Sequence, residues 1–301
     1  MKRQPNAESA KAHAYALRDL QDVIAPIEDH LLAQLPSKDE IIQRAKKRRL
    51  HQHMRHLMVA AIFLSGILLY AINPVYQTEH LQTALGQTQG VELKDGSRIH
   101  LNSATRMQVQ YRLRSKNIEL YQGEASFEVE HYAHTWLRPF ERAFMVRSGS
   151  LLVEDIGTVF NVRHFDAQHS QVTVLQGKVR VSIVDQPQQA ALELEQQQAV
   201  EQVGQRLSLY QVKDLDQVTA WQQGYLQFKA LPLAQVIASF QRYQKVDVQL
   251  HDALSREFKI SGRFQFDQAE QFMQILPQIS PLQVRQDPQS GQWQIAAITY
   301  D

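Results

Sequence analysis

The chain has 301 residues, with 32 Lys and Arg against 31 Asp and Glu for a formal net charge of +1, 44% hydrophobic residues and no cysteine. Near-balanced charge leaves no whole-molecule field that would draw nucleic acid, so no direct nucleic-acid partner is expected. Without thiols there are no disulfides, thiolate metal sites or cysteine nucleophiles, and the length suits one large domain or two modest ones.

The first 56 residues carry a helical signal. Leu17, Leu20, Ile24, Ile27 and Leu31 step by three and four and share one stripe, with Pro26 placed to kink it. Ser37-Lys38-Asp39-Glu40 has the pattern of a capping box and opens a second helix through Ile41, Ile42 and Ala45, free to run on into the next segment. An arm this small cannot bury both stripes against itself. Docking on a partner through Leu17, Leu20, Ile24 and Leu31 is the expectation; the alternative is a loose helical hairpin or a helix on a membrane surface.

Leu57 to Ile72 is sixteen residues without a charge. At about 1.5 Å per residue it covers roughly 24 Å, slightly less than a hydrocarbon core. Val75 and Tyr76 extend the expected transmembrane helix to 57–76. Arg44, Lys46, Lys47, Arg48, Arg49 and Arg55 precede it, and no Lys or Arg lies between Asn73 and Leu93. That asymmetry predicts a cytoplasmic N-terminus and an exported remainder, with the segment an uncleaved anchor. His51, His53 and His56 read as its polar flank and not as a metal site.

From Val91 to Leu209, within an expected domain of residues 77–215, the period changes to two. Val91 and Leu93, then Ile99 and Leu101, flank a turn at Asp95-Gly96, and Met107, Val109 and Tyr111 alternate likewise. An internal repeat aligns residues 118–129 with 172–183, each with apolar alternation on both sides of a Gln-Gly corner at Gln122-Gly123 and Gln176-Gly177. Two copies imply an all-β region of sandwiched or solenoid-like layers. The stretch after Phe140, from Glu141 to Ser150, reads as a long loop.

From 216 to 301 the pattern becomes α/β. Tyr225–Phe228, Val246–Leu250 and Phe258–Phe264 read as strands, and Pro232 opens a helix bearing Leu233, Val236, Ile237, Phe240 and Tyr243. Asp267 with Glu270 is expected to cap a further helix through Phe272, Ile275 and Leu276, ended by Pro277. Leu282–Arg285 and Trp293–Ala296 form a closing hairpin. The fold class is therefore mixed and mainly β: a helical arm, one transmembrane helix, an all-β domain and a small split α/β module. No HExxH, G-x-S-x-G, G-x-G-x-x-G or Walker loop occurs, so no enzyme, cofactor or metal is expected.

Several motifs stand in a fixed order: Asp95-Gly96-Ser97, Leu101-Asn102-Ser103-Ala104, Gly123-Glu124-Ala125 with Phe127 and Val129, Arg138-Pro139-Phe140, Gly157-Thr158 with Phe160-Asn161-Val162, Gln176-Gly177-Lys178-Val179, Trp221 with Gly224, Leu226 and Phe228, and Arg242-Tyr243. Over roughly residues 85–250 this set resembles FecR/PupR-type sigma factor regulators. The resemblance implies a single-pass protein of the bacterial inner membrane, N-terminus cytoplasmic and C-terminus periplasmic, concerned with iron homeostasis. It implies that the arm binds an extracytoplasmic-function sigma factor. It also implies that the exported part, with a secretin/TonB short N-terminal-like module, receives a signal from the signalling domain of an outer-membrane TonB-dependent ferric-siderophore receptor. In this chain Trp136, Trp221 and Trp293 all follow the apolar segment, whereas arms of that family commonly carry tryptophan.

The same resemblance marks Gly157-Thr158 as a candidate self-cleavage step, in which the threonine hydroxyl attacks the preceding carbonyl to give an ester open to hydrolysis. The plainer alternative is a β-bulge glycine followed by an ordinary strand residue. For the whole chain, the competing expectation is a membrane-anchored envelope-binding or structural β-domain protein without sigma-factor activity.

Overall fold

The computed structural model describes residues 37–130, 142–184, 186, 188 and 190–298. Its contacts divide the chain into two units, residues 1–71 and 72–301.

In the first unit, α1 (Lys38–Ile72) is one unbroken helix of 35 residues. From Leu57 onward its apolar side chains are exposed on every face, Phe63 to 69%. A helix apolar all round and covered by no protein is suited to lipid. Ile42–Ile72 is long and apolar enough to cross a membrane. Ser65 Oγ donates back to the Ile62 carbonyl at 2.8 Å, so this hydroxyl in the apolar run needs no water.

The helix stops at Ile72. Asn73 turns left-handed, with φ of 50°, and Pro74 has no N–H to continue the ladder. The Asn73 side chain accepts from Arg114 N at 2.7 Å and donates to Ser115 Oγ at 3.1 Å. This corrects the extension through Val75 and Tyr76. Both residues instead open a strand, because the break at Asn73-Pro74 releases the chain to pair.

Among the described residues, the second unit begins with thirteen strands. They are β1 (Val75–Gln82), β2 (Gln89–Glu92), β3 (Arg98–Leu101), β4 (Arg106–Arg112), β5 (Ser115–Glu128), β6 (Ala143–Ser148) and β7 (Leu151–Asp155), then β8 (Val159–Asp166), β9 (His169–Gln176), β10 (Lys178–Ile183), β11 (Leu192–Glu195), β12 (Gln198–Val203) and β13 (Arg206–Gln211). The sheet curls into two layers that share β5. One runs β1-β4-β5-β6-β7-β10-β11 and the other β2-β3-β5-β8-β9-β12-β13. Residues 115–122 of β5 pair with β4 or β6, and 123–128 with β3 and β8.

Alternating side chains meet between the layers. Ile118, Leu120, Val146 and Val153 come from one and Phe127, Phe160, Val162 and Val174 from the other, all essentially inaccessible. Phe127 stacks on Phe160 with ring centroids 5.1 Å apart. The hairpin at Asp95-Gly96 joins β2 and β3 with Val91 opposite Ile99. The long loop expected after Phe140 is corrected in part. Residues 143–148 form β6, parallel to β5, because Phe144 and Val146 alternate into the core.

The remaining chain folds around its own core. It contains α2 (Leu215–Thr219), a 3-10 turn at Ala220–Gln223, β14 (Tyr225–Pro232), α3 (Leu233–Gln241), β15 (Val248–Leu250), α4 (Ala253–Glu257), β16 (Lys259–Gln265), α5 (Ala269–Ile279), β17 (Leu282–Gln286) and β18 (Trp293–Ala297). β14 pairs with β16, and β18 lies between β15 and β17. Leu233, Val236, Ile237 and Phe240 of α3 pack with Phe272 and Leu276 of α5.

Two sequence expectations for α5 are corrected. The residue before its first turn is Gln268, with no side-chain cap, and the helix continues past Pro277 to Ile279. Gln244 takes the capping role from outside, accepting from Ala269 N at 3.1 Å and donating to the Asp267 carbonyl. Pro277 lies near the helix end, where its missing N–H removes only one bond.

Candidate functional site

The chain passes from one layer to the other several times, and five of these passages use a positive φ: Ala104 at 50°, Gly123 at 88°, Gly157 at 118°, Gly177 at 83° and Gln197 at 65°. Neighbouring passages pair through the backbone, with Thr83 N to Thr105 O and Asn102 N to Glu124 O both at 2.9 Å. At Gly123 a Cβ would lie 2.4 Å from Thr105 Oγ1, so the corner admits only glycine.

Glu124 follows that corner and faces away from the layered core. Its carboxylate accepts from Asn102 Nδ2 at 3.0 Å, from Asn161 Nδ2 at 2.8 Å and from the Arg242 guanidinium at the end of α3. The Glu124 side chain is 6% exposed and that of Arg242 25%. Burial works to raise the Glu124 pKa, but the charges of Arg242 and Arg163 and the donated hydrogen bonds outweigh it, holding the group below the ordinary glutamate value. Burial likewise opposes the charge on Arg242, and Glu124 more than offsets it. Ser103 Oγ donates to the Arg242 carbonyl at 2.6 Å and accepts from Gly86 N at 2.7 Å. Tyr243 stacks on Phe266 at 4.3 Å.

These contacts join the layered sheet to the α/β module. They unite Asn102, Glu124, Asn161 and Arg242, residues from four separate sequence motifs. Such an arrangement is a charge-assisted clasp between folding elements.

Gly157-Thr158 occupies the passage from β7 to β8. Thr158 is 4% exposed and its Oγ1 donates to an Asp155 carboxylate oxygen. The Gly157 carbonyl lies so close to Gly177 that a Cβ there would be 2.2 Å away. A hydroxyl and a carboxylate thus stand beside the Gly157-Thr158 step. The passage at Ala104-Thr105 has the same order of positive φ then threonine, without glycine, so the crossing geometry alone also accounts for the backbone.

Leu17, Leu20, Ile24 and Leu31 lie outside the described residues, as does Arg138-Pro139-Phe140. Sequence reading missed Arg163, which stands opposite Glu124 in the β5–β8 register. A signal existed: Asn161 and Arg163 interrupt Phe160 and Val162 at the alternate positions of one strand, which marks a second covered face.

The layered β domain clasped to an α/β module follows, in this chain, a helix long and apolar enough to cross a membrane. Residues 79–180 match the family model described as FecR protein. Two crystal structures of a proposed anti-sigma factor from Parabacteroides distasonis share the fold. One has a TM-score of 0.59 and covers 73% of this chain, the other 0.58 and 74%; each is matched over 100% of its own length at 22% identity. No curated protein matches this sequence.

Proposed function

We propose that this chain is a single-pass inner-membrane regulator of an extracytoplasmic-function sigma factor. Its first 56 residues hold the sigma factor in the cytoplasm, and residues 77–301 lie in the periplasm. The FecR match over 79–180, downstream of a helix suited to a membrane, carries this reading. The fold shared with a proposed anti-sigma factor supports it. Lys and Arg crowd the chain before Leu57 and are missing from Asn73 to Leu93, which supports the orientation.

The signal enters through residues 216–301, from the signalling domain of a TonB-dependent outer-membrane receptor, in the service of iron homeostasis. The two small sheets of this module leave strand edges for such a partner. The chain has no catalytic role in this scheme. The test is a chromosomal deletion of residues 216–301 with transcription from the sigma-dependent promoter as readout. The truncated protein should stay in the membrane and ignore the inducer; a normal response would remove the module from the signalling path.

A second reading, self-cleavage at Gly157-Thr158, is favoured by the hydrogen bond from the Thr158 hydroxyl to Asp155. Asp155 would take the hydroxyl proton as Oγ1 attacks the Gly157 carbonyl and pass it to the Thr158 nitrogen as the Gly157–Thr158 C–N bond breaks; water would then hydrolyse the ester to a Gly157 carboxylate and a free Thr158 hydroxyl. Purified wild type should yield two fragments without added protease, and Thr158→Ala should stay whole. Intact wild type throughout would leave the passage a purely structural one.

A further inference from the structure

A cleft of about 480 Å³ lies between the outward face of the second layer and the α/β module. Arg163 lines it from β8, and Lys213, Trp221, Lys229 and Arg242 line it from the other side. The acidic residues on its wall are Glu124 and Asp214, and both are engaged. Glu124 accepts from Asn102, Asn161 and Arg242, while Asp214 accepts from Asp216 N, Gln217 N and Gln227 Nε2. Four cations therefore face two carboxylates that are already hydrogen-bonded.

Three donors in this wall lack hydrogen-bond acceptors among the described residues: the Trp221 indole N–H, the Tyr243 hydroxyl and the Arg163 guanidinium. Trp221 is 4% exposed, and its Nε1 has no hydrogen-bond partner. Arg163 makes no hydrogen bond or ion pair among the described residues; its guanidinium lies against the Phe165 ring at 4.4 Å. Burial and the neighbouring Arg242 both work against its charge, pushing its pKa down. Leaving the indole N–H buried and unaccepted costs free energy that a bound acceptor would recover, and the partly exposed Arg163 guanidinium beside it has spare donors for the same guest.

We propose that this cleft binds a small organic monocarboxylate, its two oxygens on the Arg163 fork and the Trp221 Nε1–H, its apolar body against Tyr225 and Phe228. A planar guanidinium matches a carboxylate bidentately. Glu124, directly across the strand pair from Arg163, disfavours a more highly charged guest such as phosphate. The volume falls within the range of small-ligand sites. Because the guest touches both the layered sheet and the α/β module, it strengthens their association. This inference stands apart from the sigma-factor reading and survives its failure.

The test is calorimetric titration of the full chain in lipid nanodiscs with benzoate, benzyl alcohol and inorganic phosphate at matched ionic strength. Benzoate should bind saturably with a Kd of about 1 mM or tighter, and benzyl alcohol and phosphate at least about tenfold more weakly. Arg163→Gln should weaken benzoate by about tenfold or more with the circular dichroism of the fold unchanged. Arg163→Lys, which keeps the charge and loses the fork, serves the same purpose if the first variant does not fold, and should also bind more weakly. No saturable benzoate binding by folded wild type, tighter phosphate than benzoate, or undiminished binding by a folded Arg163 variant would each overturn the proposal.

Discussion

Glu124 and Arg242 show how one buried pair makes two folding elements answer to each other. Breaking a buried, hydrogen-bonded pair from one side leaves the other charge unpaired, at a cost of about 3 kcal/mol. Glu124→Gln and Arg242→Gln should each lower stability by about that amount, and the double variant by clearly less than their sum, because the two effects share one interaction. Thermal unfolding of the full chain in nanodiscs measures this; additive losses would mean that the pair is not coupled. The pH dependence has a definite sign. Glu124 is held below its ordinary pKa in the folded protein, so its contribution is complete above the unfolded value of about 4.3 and disappears as pH falls through the folded value. The clasp should therefore be indifferent to pH between about 6 and 8 and weaken only under stronger acid, and Glu124→Gln should flatten the acid limb of the stability curve.

At the scale of elements, the recurring device is the passage between layers, and its glycines are separable by what surrounds them. At Gly123 a Cβ meets Thr105 Oγ1 at 2.4 Å with φ at 88°, whereas at Gly204, φ 62°, nothing lies within 4 Å. Gly123→Ala combines the left-handed penalty with overpacking and should cost about 3 kcal/mol or more, while Gly204→Ala should cost only about 1–2 kcal/mol. Similar midpoints for the two in urea unfolding would refute the steric account. The repeat around Gly123 and Gly177 was legible in sequence because alternation and a glycine corner are local signals. So were the Asp95-Gly96 hairpin and the apolar stripe of α3. Other features depended on contacts distant in the chain. β6 reads as a loop until its parallel partner β5 is known, and α5 is capped by Gln244, twenty-five residues upstream of Ala269. The motif residues Asn102, Glu124, Asn161 and Arg242 were each visible, but their convergence was not, since Ser103 and Arg242 are 139 residues apart. Val75 and Tyr76 misled because apolar residues beside a membrane segment look alike in a helix and in an edge strand.

The whole molecule joins a helix suited to lipid, a layered β domain and an α/β module in one chain. A charge inside the membrane segment should be costly. Leu64→Arg, at an exposed position of α1, adds about 2.5–3.5 kcal/mol to insertion and should shift the protein from the membrane to the soluble or degraded fraction. Unchanged membrane content on fractionation would argue against a spanning role for that helix. The claim that the N-terminal arm holds a sigma factor is tested most directly by affinity capture of the tagged full chain from solubilised native membranes, with the bound proteins identified by mass spectrometry. The account predicts recovery of an extracytoplasmic-function sigma factor with wild type. Burying a leucine against a partner is worth about 1.5–3 kcal/mol, so Leu20→Asp should reduce the recovery at least about tenfold. Capture that yields no sigma factor, or yields it equally from Leu20→Asp, would contradict that claim.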